Sequence, residues 1–546
     1  MTARRFAFGE AFTPKLVTAF REGYGPADLR ADALAGLTVA IVALPLAMAL
    51  GIASGASPRE GLVTAIVAGF LISALGGSRV QIGGPTGAFV VIVAGVIAAH
   101  GFDGLVLATI MAGLILIVAG YAGVGRLMRY VPMPVVTGFT AGIAIIIASS
   151  QVGDFLGLRT GPVPAEFVEK WGAYGGAISS VNWWALALGA GTLALILLLR
   201  RVAPRAPAYL IAILAATGAA ALLHLPVETV GDRFHSMSTG VPQLQLPQVS
   251  LPLAREVLGS AFVIAFLAGI EALLSATVAD GMTGRRHRSG QELVGMGVAN
   301  LASGLFAGLP ATGAIARTAT NIRAGARSPM AGVFHALFLL LFTVIAGDWL
   351  RLVPMTALAA VLLMVAWGMS EYDRFVALLR TDAGERGLLL LTFVLTVFVD
   401  LTIAIGVGVT LAALLFMMRM SETAGLVAVD AEEEPELRDS LPEGVEVFRF
   451  SGPIFFGVAS EMLEALRRSG QRPRAIVLRM EEVPYVDATG ANALATFTRQ
   501  AKGAGTEVVL CGLNTQPREF LGRFEPRFAG ASRAASWAAA LKRVAR

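Results

Sequence analysis

Charged side chains are scarce in this chain. Asp, Glu, Lys and Arg make up 15% of its 546 residues, compared with about 25% in an ordinary soluble protein. The mean hydropathy is +0.71. These values exclude an ordinary soluble globular protein and indicate a polytopic membrane protein. The single cysteine, Cys511, also excludes an intramolecular disulfide framework.

Sequence motifs for several kinds of chemistry are missing as well. No Gly-rich loop ends in Lys-Ser or Lys-Thr, so an ATP-driven pump is not indicated. Five scattered histidines and one cysteine lack the spacing of a metal site, and no nucleophile–base pair stands out. We therefore expect no enzyme, no cofactor and no metal. The net charge of +5 is typical of a membrane protein with a basic cytoplasmic face, so we expect no nucleic-acid partner.

What the sequence does contain is a succession of apolar runs between residues 34 and 420. A helix needs about 20 apolar residues to cross a bilayer, within a range of about 17–25. Fourteen candidate spans follow: 34–50, 60–76, 86–99, 104–121, 132–150, 182–200, 208–225, 258–280, 291–307, 313–325, 330–347, 353–369, 387–399 and 400–420. The third, tenth and thirteenth are short, which in secondary transporters indicates discontinuous helices that end near the bilayer midplane.

Arginine is concentrated in every second connection between these spans. With residues 1–33 placed in the cytoplasm, the inside connections carry most of them: Arg126 and Arg129; Arg200, Arg201 and Arg205; Arg285, Arg286 and Arg288; Arg323 and Arg327; Arg374, Arg380 and Arg386. Cytoplasmic loops carry an excess of Lys and Arg. We therefore predict a multi-pass protein of the cell inner (cytoplasmic) membrane with both termini in the cytoplasm. The N-terminal segment has no apolar core or cleavage site, so we expect no signal peptide.

The composition changes after residue 420. Residues 421–442 are acidic and contain proline, which is typical of a solvated linker. Residues 443–546 alternate strand-like and helix-like segments, with "VEVFRF", "AIVLRM" and "TEVVLCGL" as strands and "ASEMLEALRRSG" and "TGANALATFTRQAKGAG" as helices. This alternation predicts a small α/β domain with a parallel or mixed sheet.

Two similar motifs begin the third and tenth spans. Pro85-Thr86-Gly87-Ala88 matches Ala311-Thr312-Gly313-Ala314, and each precedes a short apolar helix. The two spans are seven apart. Because seven is odd, two copies of a seven-span unit must lie in opposite orientations. The sequence therefore predicts an inverted repeat of two seven-span halves.

These motifs also predict an anion site. Pro and Gly interrupt the backbone, which is tolerated at membrane depth only where it lines a polar cavity. Each short helix then begins near the midplane with unpaired N–H groups, which favour an anion. The hydroxyls of Thr86 and Thr312 could cap the helices or bind the ligand. The alternative is that both motifs are kinks used only for packing.

Two charged residues lie inside predicted spans. Arg317 is one turn into the tenth span and Glu271 is near the middle of the eighth, with Ser275 one turn further on the same face. Charges within the bilayer are costly and mark functional sites by default. Arg317 is either part of the anion site or a structural or snorkelling residue. Glu271 is a candidate proton site, cation ligand or partner of Arg317.

Four stretches of the chain resemble the SulP family of anion transporters, whose animal relatives include prestin and pendrin. They are "DALAGLTVAIVALPLAMALGIASG" (32–55), "QIGGPTGAFVVI" (81–92), the block 288–328 around "GLPATGAIARTATN", and the C-terminal region. The resemblance implies fourteen spans in two inverted repeats, divided into a core and a gate domain. It places the anion between the starts of spans three and ten. The expected substrate site is Thr86, Gly87, Ala88, Thr312, Gly313, Ala314 and Arg317, with Leu46 and Leu50 as an apolar wall. A homodimer is also expected.

The C-terminal region resembles a STAS domain, similar to anti-sigma-factor antagonists. Where those antagonists carry Asp-Ser-Ser-Gly, this chain has Asp487, Ala488, Thr489 and Gly490. The resemblance implies a regulatory site for a cytoplasmic partner. Thr489 is either a phosphorylation site or the cap of the following helix.

The chain departs from the sodium-dependent bicarbonate members of this family. Their Asp and Thr in the eighth span are replaced here by Glu271 and Ser275, and Ile315 stands where they have Thr. Arg317 matches the animal exchangers instead. These differences favour proton coupling or exchange over sodium for a transporter of sulfate, bicarbonate or a dicarboxylate. The other hypotheses are a nucleobase permease of the same fold and a membrane-anchored anion sensor that signals through the STAS domain.

Overall fold

The chain folds into two units, one helical and one mixed α/β. The computed structural model describes residues 11–126, 132–161, 163–164, 166–204, 206–234, 242–245, 250–399, 401–423, 425–428, 442–455, 473–523 and 531–545. The first unit is Met1–Val409 and the second is Thr410–Arg546.

Helices account for most of the first unit. They are α1 Lys15–Arg21, α2 Pro26–Ala53, α3 Pro58–Leu75, α4 Val90–Tyr121, α5 Met133–Leu156, α6 Phe167–Ala177, α7 Trp183–Val202, α8 Ala208–Leu222, α9 Val230–Arg233, α10 Leu251–Glu256, α11 Leu258–Thr283, α12 Ser289–Leu305, α13 Ile315–Arg323, α14 Met330–Leu350, α15 Met355–Met369, α16 Tyr372–Leu379 and α17 Ala383–Phe398. Helix α18, Leu401–Thr423, continues into the second unit. Two short strands, β1 Gly83–Gly84 and β2 Thr312–Gly313, precede α4 and α13.

Every predicted span falls on one of these helices. Within the described residues, nine helices are long and apolar enough to cross a membrane. The third and fourth predicted spans share α4, which is interrupted at Gly101, where φ is 68°. Only glycine adopts this backbone conformation at little cost, so the residue allows the chain to stop one short helix and begin another. The predicted fold class, an α-helical polytopic membrane protein with a C-terminal α/β domain, is confirmed.

Local sequence signals explain where several helices begin. Pro58 is the first residue of α3, a position at which its missing N–H group is no loss. The preceding Ser57 accepts a hydrogen bond from Arg59 N at 3.2 Å, and its own N–H donates to Glu60 Oε2 at 2.8 Å. This reciprocal capping box fixes the end of the helix. The short helices α6, α9, α10 and α16 lie in connections for which we predicted no element.

The helices of the first unit pack in two groups that draw on both halves of the chain. In the core group, α12 packs on α3 and α4, α14 packs on α2 and α3, and α11 packs on α4 and α13. In the gate group, α15 and α17 pack on α5, and α7 packs on α8 and α15. Close approach depends on small residues: a Cβ at Gly297 of α12 would lie 2.5 Å from Gly113 O of α4. The arrangement is that expected of an inverted repeat.

The second unit contains a five-stranded sheet in the order β3-β4-β5-β6-β7. Its strands are β3 Gly425–Ala428, β4 Val445–Ser451, β5 Ala475–Glu482, β6 Glu507–Cys511 and β7 Ala531–Ala534. Strands β4 to β7 are parallel, and β3 joins the edge antiparallel to β4. Helices α19 Ala488–Gly503, α20 Thr515–Arg523 and α21 Trp537–Val544 accompany them.

Strand residues alternate between the two faces of this sheet. Leu478 belongs to one apolar cluster with Leu494 of α19, whereas its neighbour Val477 belongs to another with Val544 of α21. The three predicted strands and the helix at "TGANALATFTRQAKGAG" are present. The structure adds β3 within the segment that we predicted to be a linker, 421–442. Residues 424 and 429–441 of that segment, and the whole of the predicted helix 459–470, lie outside the described residues.

Candidate anion site

The two motifs singled out in the sequence meet in space. Strands β1 and β2 pair antiparallel, with Gly83 opposite Gly313 and Gly84 opposite Thr312. One strand comes from each half of the chain, so the crossing point joins the two repeats. The helices that follow therefore begin close together.

Glycine is required at this crossing by close approach of neighbouring groups. A Cβ at Gly313 would lie 1.7 Å from Nε2 of Gln81, and one at Gly84 would lie 2.7 Å from a guanidinium nitrogen of Arg317. Gly84 also has a φ of 143°, which disfavours any larger residue. A side chain at Gly313 would have to displace the amide of Gln81, and one at Gly84 would in addition strain the backbone.

The two helix starts that face each other lack side-chain caps. The turn Gly87–Phe89 leads into α4 with Thr86 at its N-cap position, and α13 begins with Ala314 at that position. No side chain of the described residues hydrogen-bonds to either N-terminus. Ala88 and Ala314 are buried. First-turn N–H groups at such ends can bind an anion, and the helix dipoles favour negative charge there.

Arg317 lies beside the crossing and is only 4% exposed. Its guanidinium donates a hydrogen bond to the carbonyl oxygen of Pro85, immediately before the α4 start. The burial excludes the snorkelling interpretation. Arg317 thus ties α13 to the opposite motif and places a cation next to both helix starts.

The threonine hydroxyls have partners that the sequence did not suggest. Thr86 Oγ1 donates to Glu271 Oε2 of α11 at 3.0 Å, and Thr312 Oγ1 donates to Ala268 O of the same helix at 2.8 Å. Of the two alternatives for these hydroxyls, the helix cap is excluded, whereas ligand binding stays a prediction. An uncapped helix end leaves its N–H groups to the ligand, and the hydroxyls instead fasten each motif to α11.

The side chains of Glu271 and Arg317 form hydrogen bonds with adjacent residues of the first motif. Arg317 binds the carbonyl of Pro85, and Glu271 binds the side chain of Thr86. When Glu271 is ionised, the two side-chain charges sum to zero next to the α4 start. When Glu271 is protonated, a net positive charge remains. The electrostatic attraction for an anion therefore depends on the protonation state of Glu271.

A polar cluster lies behind the crossing, and sequence reasoning found its member Ser275 but missed Thr318 and Asn321. Ser275 Oγ donates to Thr318 Oγ1 at 3.2 Å, and Thr318 Oγ1 accepts from Ile82 N at 3.0 Å. Asn321 Nδ2 donates to Val80 O at 2.9 Å. The signal was available in the segment "ARTATNIR", because residues 317, 318 and 321 share one face of a helix.

The α4 start faces the gate group. A Cβ at Gly87 would lie 2.4 Å from Sδ of Met369 and 3.1 Å from Cδ1 of Ile147. On α2, Leu50 is buried and Leu46 is half-buried, and both pack in the same apolar cluster as Ala88. Met369 and Ile147 of the gate group therefore lie against the first motif, and the apolar wall of Leu46 and Leu50 stays a prediction.

The loop before α19 in the second unit holds the two residues expected there. Asp487 is the N-cap of α19, and its Oδ1 accepts from Gly490 N at 2.7 Å. Thr489 is exposed in the first turn. The expectation that Thr489 caps the helix was therefore wrong, because Asp487 occupies that position. The threonine hydroxyl is on the surface.

The inverted packing and the paired half-helices define a membrane transporter with discontinuous helices. The chain belongs to the Sulfate permease family, whose model matches residues 29–392. The STAS domain model matches residues 440–525. The resemblance drawn from the sequence motifs is confirmed, and membership of a transporter family agrees with the expectation that the chain is not an enzyme.

Relatives match nearly the full length of the chain. "Putative sulfate transporter YvdB" of Bacillus subtilis (strain 168) is 38% identical over 503 residues, covering 92% of this chain and 94% of the relative. "Bicarbonate transporter BicA" of Picosynechococcus sp. is 32% identical over 518 residues, covering 90% of each chain.

A solved structure shares the fold at low sequence identity. The structure titled "The overall structure of SLC26A9" matches with a TM-score of 0.86 at 16% identity, covering 100% of this chain and 94% of that one. An identity this low supports the fold alone.

Proposed function

We propose that this chain is a secondary transporter that carries a small oxyanion or carboxylate, such as sulfate, bicarbonate or a dicarboxylate, across the cytoplasmic membrane. The observation that carries the proposal is the pairing of β1 with β2, which brings two uncapped helix starts and the buried Arg317 together. The names of the relatives refer to sulfate and bicarbonate.

The substrate binds, in this proposal, at the first-turn N–H groups of α4 and α13. The residues involved are Thr86, Gly87, Ala88, Thr312, Gly313, Ala314 and Arg317. The side chains of Thr86 and Thr312 act mainly by holding the two motifs against α11, as their hydrogen bonds indicate. The backbone and Arg317 supply the positive potential.

Access to this site alternates by movement of the core group against the gate group. The supporting observation is that Gly87 belongs to the core group, whereas Met369 and Ile147 belong to the gate group and lie against it. A displacement between the groups would uncover the α4 start without disturbing the β1–β2 pairing, which lies within the core group. The second unit regulates or stabilises the transporter, and the functional assembly is a homodimer with both termini in the cytoplasm.

Glu271 couples the anion to a proton. Protonation removes the negative charge that offsets Arg317, so the anion and the proton bind more tightly together than apart. Ser275 supports this arrangement through Thr318, which connects α11 to α13 and to the backbone before β1. The cycle is therefore proton symport, or exchange when Glu271 stays protonated.

Flux measurements in proteoliposomes test the proposal. Labelled sulfate, bicarbonate, fumarate and uracil are offered to the purified chain with an imposed proton gradient, an imposed sodium gradient, or neither. We expect uptake of at least one anion, accelerated by the proton gradient. Uracil uptake in place of anion uptake would establish a nucleobase permease. Saturable anion binding without flux would establish a sensor, and uptake driven by sodium alone would contradict the coupling assignment.

A further inference from the structure

A polar cavity separate from the β1–β2 crossing lies at the face of the first unit where α2 ends. It has a volume of about 900 Å³ and is lined by both groups of helices. Ile52 and Ala98 of the core group border it, and Ser150 and Thr356 of the gate group border it on the other side. In the orientation that we propose, this face is outside the cell.

The cavity continues towards the α4 start. Ala94 and Ala98 line it on α4, and Ala94 is seven residues, or about 10 Å, along the chain from Gly87. On α5, Ser150 lines the cavity one turn beyond Ile147, the residue that lies against Gly87. The cavity wall at Ala94 is thus about two helical turns of α4 from the α4 start.

Lys170 is the unusual group in the cavity. It lies on α6 and lines the cavity, yet it is only 9% exposed. Within the described part of the chain, its side-chain ammonium group forms no ion pair or hydrogen bond. Lysine is almost never buried to this extent without a partner. Burial lowers the pKa of Lys170 because it disfavours the charged form, and an anion beside the ammonium group would restore that form.

The carboxylates that line the cavity are already engaged. Asp154 Oδ1 accepts from Arg233 at 2.8 Å, and Glu228 forms a second ion pair with the same guanidinium. Arg233 therefore neutralises part of the charge of both, and neither carboxylate forms an ion pair with Lys170. Arg159 is a further cation at the exposed rim. The ammonium group of Lys170 is thus a cation in the cavity that an anionic solute can pair with.

We propose that Lys170 forms an outer binding site for a small oxyanion, of the same class as the transported substrate, in the cavity above the α4 start. The outer site concentrates the anion before the anion reaches the β1–β2 crossing. It also discriminates against neutral and cationic solutes. The inference rests on the proposed transport function and adds a second site on the route. Lys170 acts here as a binding residue for the arriving anion and has no part in proton coupling.

The test compares sulfate and bicarbonate uptake by the full chain with uptake by Lys170→Gln and Lys170→Arg in proteoliposomes. For uptake from the side of the cavity, we expect Lys170→Gln to raise KM by roughly tenfold with kcat nearly unchanged, and Lys170→Arg to retain a KM near the original. Arg351→Gln is the matched control, because Arg351 is exposed at the same face and does not line the cavity. It is expected to leave KM unaltered.

A labelling experiment reports on the cavity without relying on transport. Lys170→Cys is treated with an anionic, membrane-impermeant thiosulfonate, and the unmodified chain serves as the blank because Cys511 is buried. We expect sulfate to slow the labelling and sodium gluconate at equal ionic strength to have a smaller effect. An unchanged KM in Lys170→Gln, or labelling that sulfate does not slow, would overturn the outer site. If the unmodified chain carries none of sulfate, bicarbonate and fumarate, the proposed function fails instead.

Discussion

The two motifs of the β1–β2 crossing are related in sequence but differ in their surroundings. At the first motif, Gly87 faces Met369 and Ile147 of the gate group, and Thr86 binds the carboxylate of Glu271. At the second motif, Gly313 faces Gln81 inside the core group, and Thr312 binds a backbone carbonyl.

This difference shows that an inverted repeat need not place equivalent residues in equivalent roles. The first motif is in contact with the gate group, against which the core group moves in our proposal, and with Glu271, the residue that titrates in that proposal. The second motif is anchored within the core group and supplies Arg317. We call the first motif responsive, because it contacts the gate group and Glu271. We call the second motif anchored, because its contacts lie within the core group.

The largest effect is expected from enlarging the two glycines. Gly87→Leu meets the ends of flexible side chains, so the protein should fold and lose nearly all flux. In Gly313→Leu, the side chain meets Gln81, and its Cβ atom alone would lie 3.2 Å from the backbone Cα of Ala272. This variant should therefore lose both flux and thermal stability.

Detergent-based thermal melting and proteoliposome flux distinguish the two outcomes. Gly95→Leu is the control, because Gly95 lies on the same helix as the first motif and a Cβ there meets nothing within 4 Å. Equal loss of stability at positions 87 and 313 would remove the distinction between a responsive and an anchored motif.

Removal of the Arg317 charge is expected to have the next largest effect. Arg317→Met deletes the cation beside both helix starts and the hydrogen bond to Pro85. Hydrogen bonds to charged groups contribute about 1.5–3 kcal/mol, so anion affinity should fall by roughly 10- to 100-fold. Isothermal titration with sulfate or bicarbonate measures the loss. Arg323→Met, at an exposed position on the same helix, is the control. Unchanged affinity in Arg317→Met would make the residue purely structural.

Glu271→Gln tests whether the carboxylate bound to the first motif couples the anion to a proton. The glutamine oxygen can still accept the hydrogen bond from Thr86, while the side chain stays neutral as in the protonated acid. We expect anion binding and passive exchange to persist and the acceleration of uptake by a proton gradient to disappear. The measurement is flux with and without the gradient. A variant that still accumulates anion against its concentration gradient would exclude Glu271 from coupling.

The smallest effects are expected at the two threonines, and they should differ in kind. Thr86→Val leaves Glu271 without its hydroxyl donor and should change the pH dependence of uptake. Thr312→Val removes one buried hydrogen bond to a backbone carbonyl and should lower the free energy of unfolding by about 0.5–1.5 kcal/mol, with pH dependence retained. Uptake profiles across pH and thermal melting measure the two quantities. Identical behaviour of the two variants would argue against the asymmetry.

Much of the fold was predictable because bilayer crossing imposes a strong and local requirement. Apolar length located every helix that carries a predicted span, and the recurrence of one short motif seven spans apart indicated the inverted repeat. The STAS-like strands followed from alternation of apolar residues. The short helix α6, which carries Lys170, was missed because its sequence "FVEKWGAYGGA" is neither apolar enough for a span nor strongly periodic.

The candidate site was predictable to a lesser degree. Thr86, Thr312, Arg317 and Glu271 were singled out because proline, glycine and charge are unusual in apolar surroundings. Their hydrogen-bond partners could not be predicted, because each of these hydrogen bonds joins residues far apart in the chain. The link from Thr86 to Glu271 spans 185 positions, and that from Ile82 to Thr318 spans 236.

The sequence by itself determined that the chain crosses the membrane, that its two halves are related, and where the backbone must leave the helical path. These properties depend on residues near one another in the chain, through apolar length, backbone conformation and the cost of a buried charge. Only the tertiary structure decided that Asp487 caps α19 and Thr489 does not, that the threonine hydroxyls bind α11, and that the Lys170 side chain is buried without a polar partner among the described residues. Those outcomes depend on which of several similar groups lies within hydrogen-bonding distance, and packing of distant segments sets that distance.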